Sequence, residues 1–293
     1  MKIGIIGTKG GWSSEKLADA AREITGSRLL IEMDKVMLDL DGGSVWYGNA
    51  NLADFDALLI KKIGARYSPD LLDRLEILRF LAGRGVRIFS SPSSIIRVLD
   101  RLSCTVTLQL GGIPMPPTTI TEDVDHACQA LEHYGEAVFK PLYSSKARGM
   151  IVLTAGPGAR EVISEYKMDN PIIYIQKKID LGDRDLGVVF LGGQYLTTYA
   201  RCNQGNSWNT TTVSGGKYGK HEPGQEIISL AQKAQDLFGL DFTCVDVVET
   251  ASGPVVFEVS AFGGFRGIVA TSDIDPAQRY VEYVVQQLQG DRK

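Results

Sequence analysis

The chain has 293 residues, of which 35 are acidic and 31 are basic, for a formal net charge of −4. This mildly acidic balance argues against a dedicated nucleic-acid binder, which carries a basic domain or stripe. No apolar run approaches the roughly 18–20 residues that cross a bilayer, and the first residues form too short an apolar stretch for a signal peptide. We therefore predict a cytoplasmic protein with no nucleic-acid or membrane partner.

The cysteines and histidines exclude two further classes. Four cysteines without a Cys-x-x-Cys pair and only three histidines argue against a structural zinc site. A disulfide framework is not expected in a reducing compartment. At roughly 150 residues per domain, the length predicts two domains or three compact lobes.

The first third of the chain alternates strands and helices. We predict strands at 2–7, 28–33, 57–60 and 86–89, helices at 13–24 and 69–83, and a hairpin over 41–44. Such alternation implies an open, largely parallel sheet covered on both faces, with ligands beyond its strand ends. The glycine turn at 7–11 lacks Gly-x-Gly-x-x-Gly, so a plain tight turn is favoured over the cofactor site of a dehydrogenase.

From about Ile95 the pattern changes. A stiff connector at 113–117 precedes strands near 118–120, 137–140, 150–154 and 172–176, with helices at 123–134 and through Glu165. Later strands pair as antiparallel hairpins, 188–191 with 194–198 and 242–249 with 254–260. Between these hairpins, the polar stretch 203–224 is long enough to be either functional or disordered.

The strongest local signal is the pair Asp246 and Glu258. A three-residue turn centred on Ser252 places the two carboxylates directly opposite each other on one face, with the other face formed by Val245, Val247, Phe257 and Val259. Opposed like charges destabilise a half-buried sheet, whereas a divalent cation with oxygen ligands reverses that effect. We interpret the pair as a Mg²⁺ site, with two acids on a solvated edge as the alternative.

A second signal is Lys140, which ends an apolar strand and precedes the small, basic loop 141–149. A lysine there can contact phosphate oxygens as a point charge, while loop N–H groups and Lys146 or Arg148 close over them. Gly-x-x-x-x-Gly-Lys-Ser/Thr is absent, so this is not a Walker A motif. Alone, the loop is equally compatible with a solvated hairpin.

Together, the lysine-terminated strand, the small loop, the Gln-x-x-Ile strand end at 176–179 and the late Asp…Glu hairpin resemble the ATP-grasp superfamily. Within it, the chain resembles the RimK-like ligases, which attach glutamate or another amine to a carboxylate. The segments 10–14, 61–68 and 144–149 look like those of the bacterial GAK-system ATP-grasp enzymes. The implied α/β fold has an N-terminal open α/β domain at 1–96 and two α+β lobes that clasp ATP, at 97–175 and 176–293.

The resemblance also implies residue roles. Asp246, Glu258 and Ser260 would bind the metal, with Ser260 standing where relatives have asparagine. Arg201 would stabilise the transferring phosphoryl group, and Arg266 would meet a substrate carboxylate or else be a surface arginine. The residues implied in ATP binding are Arg101, Lys140, Ser145, Lys146, Gly149, Gln176, Lys177, Lys178, Ile179 and Asp185.

The implied activity is an ATP- and Mg²⁺-dependent ligation, with Mn²⁺ as an alternative metal, that forms an amide or peptide bond through an acyl phosphate. Its partners would be a small-molecule or peptide carboxylate and an amine donor, and homo-oligomerisation stays open. We expect the loops 144–149 and 203–224 to close over the nucleotide and the acceptor. The alternative is a non-ligating regulatory protein that binds ATP, motivated by three departures from relatives: Ser260, Gly187 in place of a substrate-side arginine, and Lys177 in place of a glutamate.

Overall fold

The structure, a computed structural model, describes residues 1–145, 147–203, 208–211 and 215–290. Its N-terminal sheet is parallel, as predicted, with strand order β2-β1-β6-β7. The strands are β1 (Ile3–Ile6), β2 (Leu30–Ile31), β6 (Ala57–Ile60) and β7 (Arg87–Phe89), and the helices beside them are α1 (Trp12–Thr25), α2 (Asp70–Gly83) and α3 (Pro92–Leu99). The predicted hairpin over 41–44 is confirmed, since β3 (Val36–Asp39) and β4 (Ser44–Tyr47) pair antiparallel and β5 (Ala50–Asn51) adds a third short strand.

The central sheet is antiparallel, with strand order β10-β9-β11-β8. Its strands are β8 (Thr118–Thr121), β9 (Glu136–Lys140), β10 (Ile151–Thr154) and β11 (Ile173–Lys177). The helix α4 (Arg101–Leu110) precedes them in the chain, α5 (Val124–Tyr134) connects β8 to β9, and α6 (Ala159–Asp169) connects β10 to β11. Its two helices bury their apolar faces on the sheet in a separate small core that includes Leu131, Phe139 and Ile163.

The C-terminal sheet is also antiparallel, with strand order β14-β13-β12-β15-β16. Its elements are β12 (Arg184–Leu191), β13 (Gln194–Cys202), β14 (Lys217–Lys220), α7 (Gln225–Asp236), β15 (Phe242–Thr250), β16 (Gly253–Ser260), α8 (Phe265–Thr271) and α9 (Pro276–Gly290). Its core is continuous with that of the N-terminal sheet, because one apolar cluster contains both Leu75 and Val245. The described helices include none long and apolar enough to span a membrane. The domain boundaries at 96 and 175 stay a prediction.

The β15–β16 hairpin pairs Asp246 with Glu258, as predicted, but its turn and its register differ from the prediction. Thr250 pairs with Gly253, so the turn has two residues rather than three, and the register shifts by one between 246 and 247. The extra residue on β16 is Phe257, which lines the cleft described below. The predicted turn and the placement of Phe257 on the core face are therefore wrong, because a bulge reverses the alternation of side chains beyond it.

Candidate active site

A cavity of about 360 Å³ opens between the central sheet and the C-terminal sheet. Strand ends from both sheets supply its walls, and Lys62 and Tyr67 from the N-terminal part of the chain line it as well. Of the predicted site residues, those that line the cleft are Arg101, Lys140, Ser145, Gln176, Lys177, Lys178, Ile179, Asp185, Arg201, Asp246, Glu258 and Ser260. The fold thus brings together residues that lie up to 159 positions apart in the sequence, from Arg101 to Ser260.

Lys140 lies at the end of β9 and is buried. Its ammonium donates a hydrogen bond to the side-chain oxygen of Gln176 on the neighbouring strand β11. The amide nitrogen of Gln176 donates to the hydroxyl of Thr118 at 3.0 Å, which turns the amide oxygen toward Lys140. Burial, with the nearby charge of Arg101, lowers the pKa of Lys140 to about 7. An anion bound beside this ammonium would relieve both effects.

This pKa predicts that ATP binding takes up a proton. A triphosphate beside Lys140 raises its pKa, so at about pH 8, where the free protein holds Lys140 mostly neutral, up to about one proton enters with the nucleotide. Below about pH 6 the ammonium is already formed in the free protein, and the proton uptake disappears. Above about pH 7 the binding of ATP requires a proton that the solution supplies less readily, so ATP affinity falls as the pH rises. Calorimetry in two buffers of different ionisation enthalpy measures the uptake, and equal heats in both buffers at about pH 8 would contradict this prediction.

Arg101 links the loop after β9 to β16. It is the first residue of α4, and the carboxylate of Asp100 caps that helix by accepting hydrogen bonds from the N–H groups of Leu102 and Ser103, both at 3.2 Å. The Nε of Arg101 donates to the carbonyl of Pro141 at 3.1 Å, and its Nη1 lies 3.5 Å from Oε2 of Glu258. The helix cap therefore fixes a cation between the predicted phosphate loop and one predicted metal ligand.

A half-buried charge network holds the other predicted metal ligand, Asp246. The Nη2 of Arg201 lies 3.0 Å from Oδ1 of Asp246. The Nε of Arg201 donates to both oxygens of Asp185 at 3.0 and 3.1 Å, and the hydroxyl of Thr210 donates to Asp185 at 2.6 Å. Burial raises the pKa of Asp246 to about 6, against the opposing effect of Arg201. Burial would lower the pKa of Arg201, but the carboxylates of Asp246 and Asp185 raise it well above its usual range. Asp185 thus orients Arg201 toward Asp246.

The residues at Asp246 and Glu258 fit a Mg²⁺ ion. Mg²⁺ takes oxygen ligands and is usually held by one or two carboxylates together with substrate phosphates. Two carboxylates face each other across β15 and β16, and the cleft also contains the hydroxyl of Ser260. No group of three or more His, Cys, Asp or Glu side chains that could hold a metal occurs in the described ranges. A site of this composition therefore depends on oxygens from a bound phosphate to complete it.

Two predicted site residues, Arg266 and Gly149, do not line the cleft. Arg266 is exposed, and its guanidinium lies 4.9 Å from the ring centroid of Trp12. Gly149 follows the cleft-lining Ala147 and has φ +70°, a conformation that favours glycine, with Pro141 3.1 Å from where a Cβ would lie. Lys146 of this loop and the stretches 204–207 and 212–214 of the predicted polar loop lie outside the described residues.

Sequence reasoning missed the apolar and aromatic wall of the cleft. Its members are Tyr67, Val138, Met150, Leu181, Tyr199, Trp208, Tyr218, Phe257 and Phe262. Most lie in or next to strands, where an apolar side chain is indistinguishable by pattern from a core residue. No local signal separates them from the core.

Tyr199 owes its position in this wall to two glycines. A Cβ on Gly187 would lie 2.3 Å from the Tyr199 ring, and a Cβ on Gly267 would lie 2.5 Å from it. The Tyr199 hydroxyl is 3.4 Å from Sγ of Cys244, and its ring packs edge-on against Tyr218. The space beside Gly187 is therefore filled by an aromatic ring.

A family model and several named proteins are similar to this chain. A family model described as the RimK-like ATP-grasp domain matches residues 98–284. The tetrahydromethanopterin:alpha-L-glutamate ligase of Methanosarcina acetivorans is 26% identical over 265 residues, which cover 81% of this chain and 82% of that protein. The ribosomal protein bS6–L-glutamate ligase of Salmonella newport is 25% identical over 293 residues, with 97% and 95% covered.

Solved structures share the fold across nearly the whole chain. The ATP-grasp ligase PsnB complexed with minimal precursor, Mg and ADP superposes with a TM-score of 0.72 at 17% identity and covers 98% of each chain. The D-cycloserine synthetase DcsG superposes with a TM-score of 0.74 at 16% identity and covers 98% of this chain and 100% of its own. At these identities the likeness concerns the fold alone.

Proposed function

The chain belongs to the RimK-like ATP-grasp family, and we propose that its cleft joins a carboxylate to an amine at the expense of ATP. The chain is thus a carbon–nitrogen ligase that produces ADP and phosphate. The observation that carries this function is the meeting of three cations, Lys140, Arg101 and Arg201, with the opposed carboxylates of Asp246 and Glu258 in one cleft. Phosphoryl transfer requires positioning and charge neutralisation rather than covalent work by the protein.

The reaction has two steps. An oxygen of the substrate carboxylate attacks the γ-phosphorus of ATP, and the bond from that phosphorus to the bridging oxygen of ADP breaks. The amine nitrogen then attacks the carbonyl carbon of the acyl phosphate, and inorganic phosphate leaves with the carboxylate oxygen while the amine loses a proton. Lys140 and Arg101 hold the phosphates, and Arg201, oriented by Asp185, faces the charge that develops between the two substrates.

Asp246 and Glu258, with the hydroxyl of Ser260, would hold Mg²⁺, or Mn²⁺ as an alternative. A bound divalent ion neutralises the charge of the β- and γ-phosphates. Arg201 contacts Asp246 and Arg101 contacts Glu258, so a cation side chain stands beside each carboxylate. The solved neighbour with Mg and ADP supports this assignment by its fold.

The nucleotide base would lie at the end of β11, against Lys177, Lys178 and Ile179, which all line the cleft. Lys178 is held there by Glu136, with 2.8 Å between Nζ and Oε2. Ser145 and Gly149 lie in the loop that would cover the triphosphate. The hydroxyl of Ser145 accepts a hydrogen bond from Arg148 at 2.9 Å, which places a further cation in that loop.

The substrates are a small-molecule or peptide carboxylate and an amine donor. The names of the relatives specify a tetrahydromethanopterin and the ribosomal protein bS6 as the molecules they join to glutamate. In this chain the wall beside Gly187 is the ring of Tyr199, which presents no charge to a second substrate carboxylate. We assign the reaction to the cytoplasm. Arg266 would act only if a substrate extends from the cleft to Trp12.

The proposed function is tested by ADP and phosphate release from ATP and Mg²⁺ with panels of carboxylic acids and amines, each alone and in pairs. A ligase releases both products in equal amounts, and release is greatest when an acid and an amine are present together. A protein that binds ATP while no pair increases release would be a non-ligating nucleotide-binding protein, and the proposal would be wrong.

A further inference from the structure

Lys61 is a buried lysine that the proposed reaction does not use. It directly follows β6 of the N-terminal sheet, and its exposed fraction is 1%. Burial lowers its pKa well below the usual range for lysine. Burying a side-chain ammonium is costly unless it is hydrogen-bonded, and a methionine of similar length would fill the same space without that cost.

Within the described ranges, this ammonium contacts the turn 262–264 and two aromatic rings of the C-terminal part of the chain. The Nζ donates to the carbonyl of Phe262 at 3.0 Å and to the carbonyl of Gly263 at 3.1 Å. The same nitrogen lies 3.7 Å from the ring centroid of Phe265 and 5.3 Å from that of Phe242, so two carbonyl oxygens and two aromatic faces neighbour it. Lys61 thereby links the end of β6 in the N-terminal sheet to the turn 262–264 that follows the C-terminal sheet.

That turn, 262–264, forms part of the cleft wall directly after the proposed metal ligands. In a trans peptide the N–H points away from the C=O of the same unit. Because both carbonyls face Lys61, the N–H groups of Gly263 and Gly264 point away from Lys61, and both residues also line the cleft. Within the described part of the chain, neither N–H donates a hydrogen bond.

Glycine is required in this turn. Gly264 has φ +93°, a conformation that an L side chain rarely adopts. A Cβ on Gly263 would lie 3.1 Å from the Cβ of Cys244. Two glycines give the turn more backbone freedom than other residues would, and the hydrogen bonds from Lys61 restrict that freedom.

We propose that Lys61 is a positioning residue, which fixes the turn 262–264 by holding two of its carbonyls and so aims the N–H groups of Gly263 and Gly264 at the acyl phosphate side of the cleft. This role rests on the proposed ligase function. The two hydrogen bonds from Nζ also polarise both peptide units, since a donor at the carbonyl end makes the N–H end more positive. Lys61 acts through the turn and does not itself reach the substrate.

The test compares Lys61→Met with the parent protein and with Lys16→Met. Lys16 is the matched control because its ion pair with Asp275, at 2.7 Å, also joins the N-terminal part of the chain to the C-terminal part but lies outside the cleft. Without nucleotide, the amide ¹⁵N order parameters of Gly263 and Gly264 should fall in Lys61→Met from about 0.85, typical of rigid backbone, to about 0.6 or below, and stay unchanged in Lys16→Met.

A second measurement separates positioning from general stability. Acetyl phosphate, the acyl phosphate of a small carboxylic acid, is added to the complex with Mg²⁺ and ADP, and should shift the amide resonances of Gly263 and Gly264 in the parent. In Lys61→Met its dissociation constant should rise about tenfold while that of Mg·ADP changes less than about twofold. Lys61→Gln, which keeps one donor group, should fall between the two and serves if Lys61→Met does not fold.

Unmoved glycine resonances in the parent, or equal order parameters and equal acetyl phosphate affinity in Lys61→Met and the parent, would overturn the role of Lys61. A parent protein that does not bind Mg·ADP would contradict the proposed function instead. Even then the comparison of order parameters, made without nucleotide, decides whether Lys61 fixes the turn.

Discussion

Asp246→Asn and Glu258→Gln are each expected to lower Mg²⁺-dependent ADP formation by about a hundredfold or more. Each substitution keeps the size of the side chain but removes one of the two negative charges that face each other across β15 and β16. The cation then loses a ligand in a cleft where the charge of the triphosphate must be neutralised. The measurement is ADP formation at saturating ATP over a range of Mg²⁺ concentrations.

Glu249→Gln is the matched control for this prediction. Glu249 lies on the same strand, three residues after Asp246, but is exposed and does not line the cleft. Its substitution should leave ADP formation within about twofold of the parent, since a surface change away from the site has little effect. Near-parental turnover in both Asp246→Asn and Glu258→Gln, with melting curves that show folded protein, would refute the metal assignment.

Lys140→Ala is expected to weaken ATP binding by about ten- to a hundredfold, because a desolvated contact between an ammonium and a phosphate is worth roughly 1.5–3 kcal/mol. Its partner Gln176 is held by Thr118 and would remain in place, so that the loss falls mainly on the nucleotide. Calorimetry with ATP measures the effect. Lys2→Ala, at an exposed lysine outside the cleft, is the control.

An ATP affinity in Lys140→Ala equal to that of the parent would show that the lysine at the end of β9 does not contact phosphate. The same variant also checks the proton uptake predicted above. Removal of the ammonium should abolish the difference between the two buffers at about pH 8, because the titrating group is gone.

The sequence predicts well what depends on local pattern. Strand and helix alternation identifies the parallel N-terminal sheet, and the position of Lys140 at the end of an apolar strand is correct. The facing of Asp246 and Glu258 was also predicted, although a two-residue turn and a bulge at Phe257 produce it. A bulge adds a residue without a sequence signature of its own, so pattern alone places Phe257 on the wrong face.

What the sequence could not predict depends on contacts between distant segments. Gln176 meets Lys140 because β9 and β11 are neighbours in the central sheet. Arg201 lies opposite Asp185 because the predicted hairpin of β12 and β13 extends beyond residues 188 and 198 and contains a register shift between Val189 and Phe190. The contact between Lys61 and the turn 262–264 spans 201 positions and joins two sheets. Such pairings arise from tertiary packing, which residue spacing does not encode.

The central claim is that a carboxylate is activated by phosphorylation before the amine attacks it. With an acid and amine pair that supports turnover, the acid is labelled with ¹⁸O in both carboxylate oxygens and the released phosphate is examined by ³¹P NMR. The account predicts that each phosphate formed carries one ¹⁸O atom, because the oxygen that attacked the γ-phosphorus leaves with it. Unlabelled phosphate, formed at the same rate as ADP while the amide accumulates, would contradict an acyl phosphate and the assignment of Lys140, Arg101 and Arg201 to its formation.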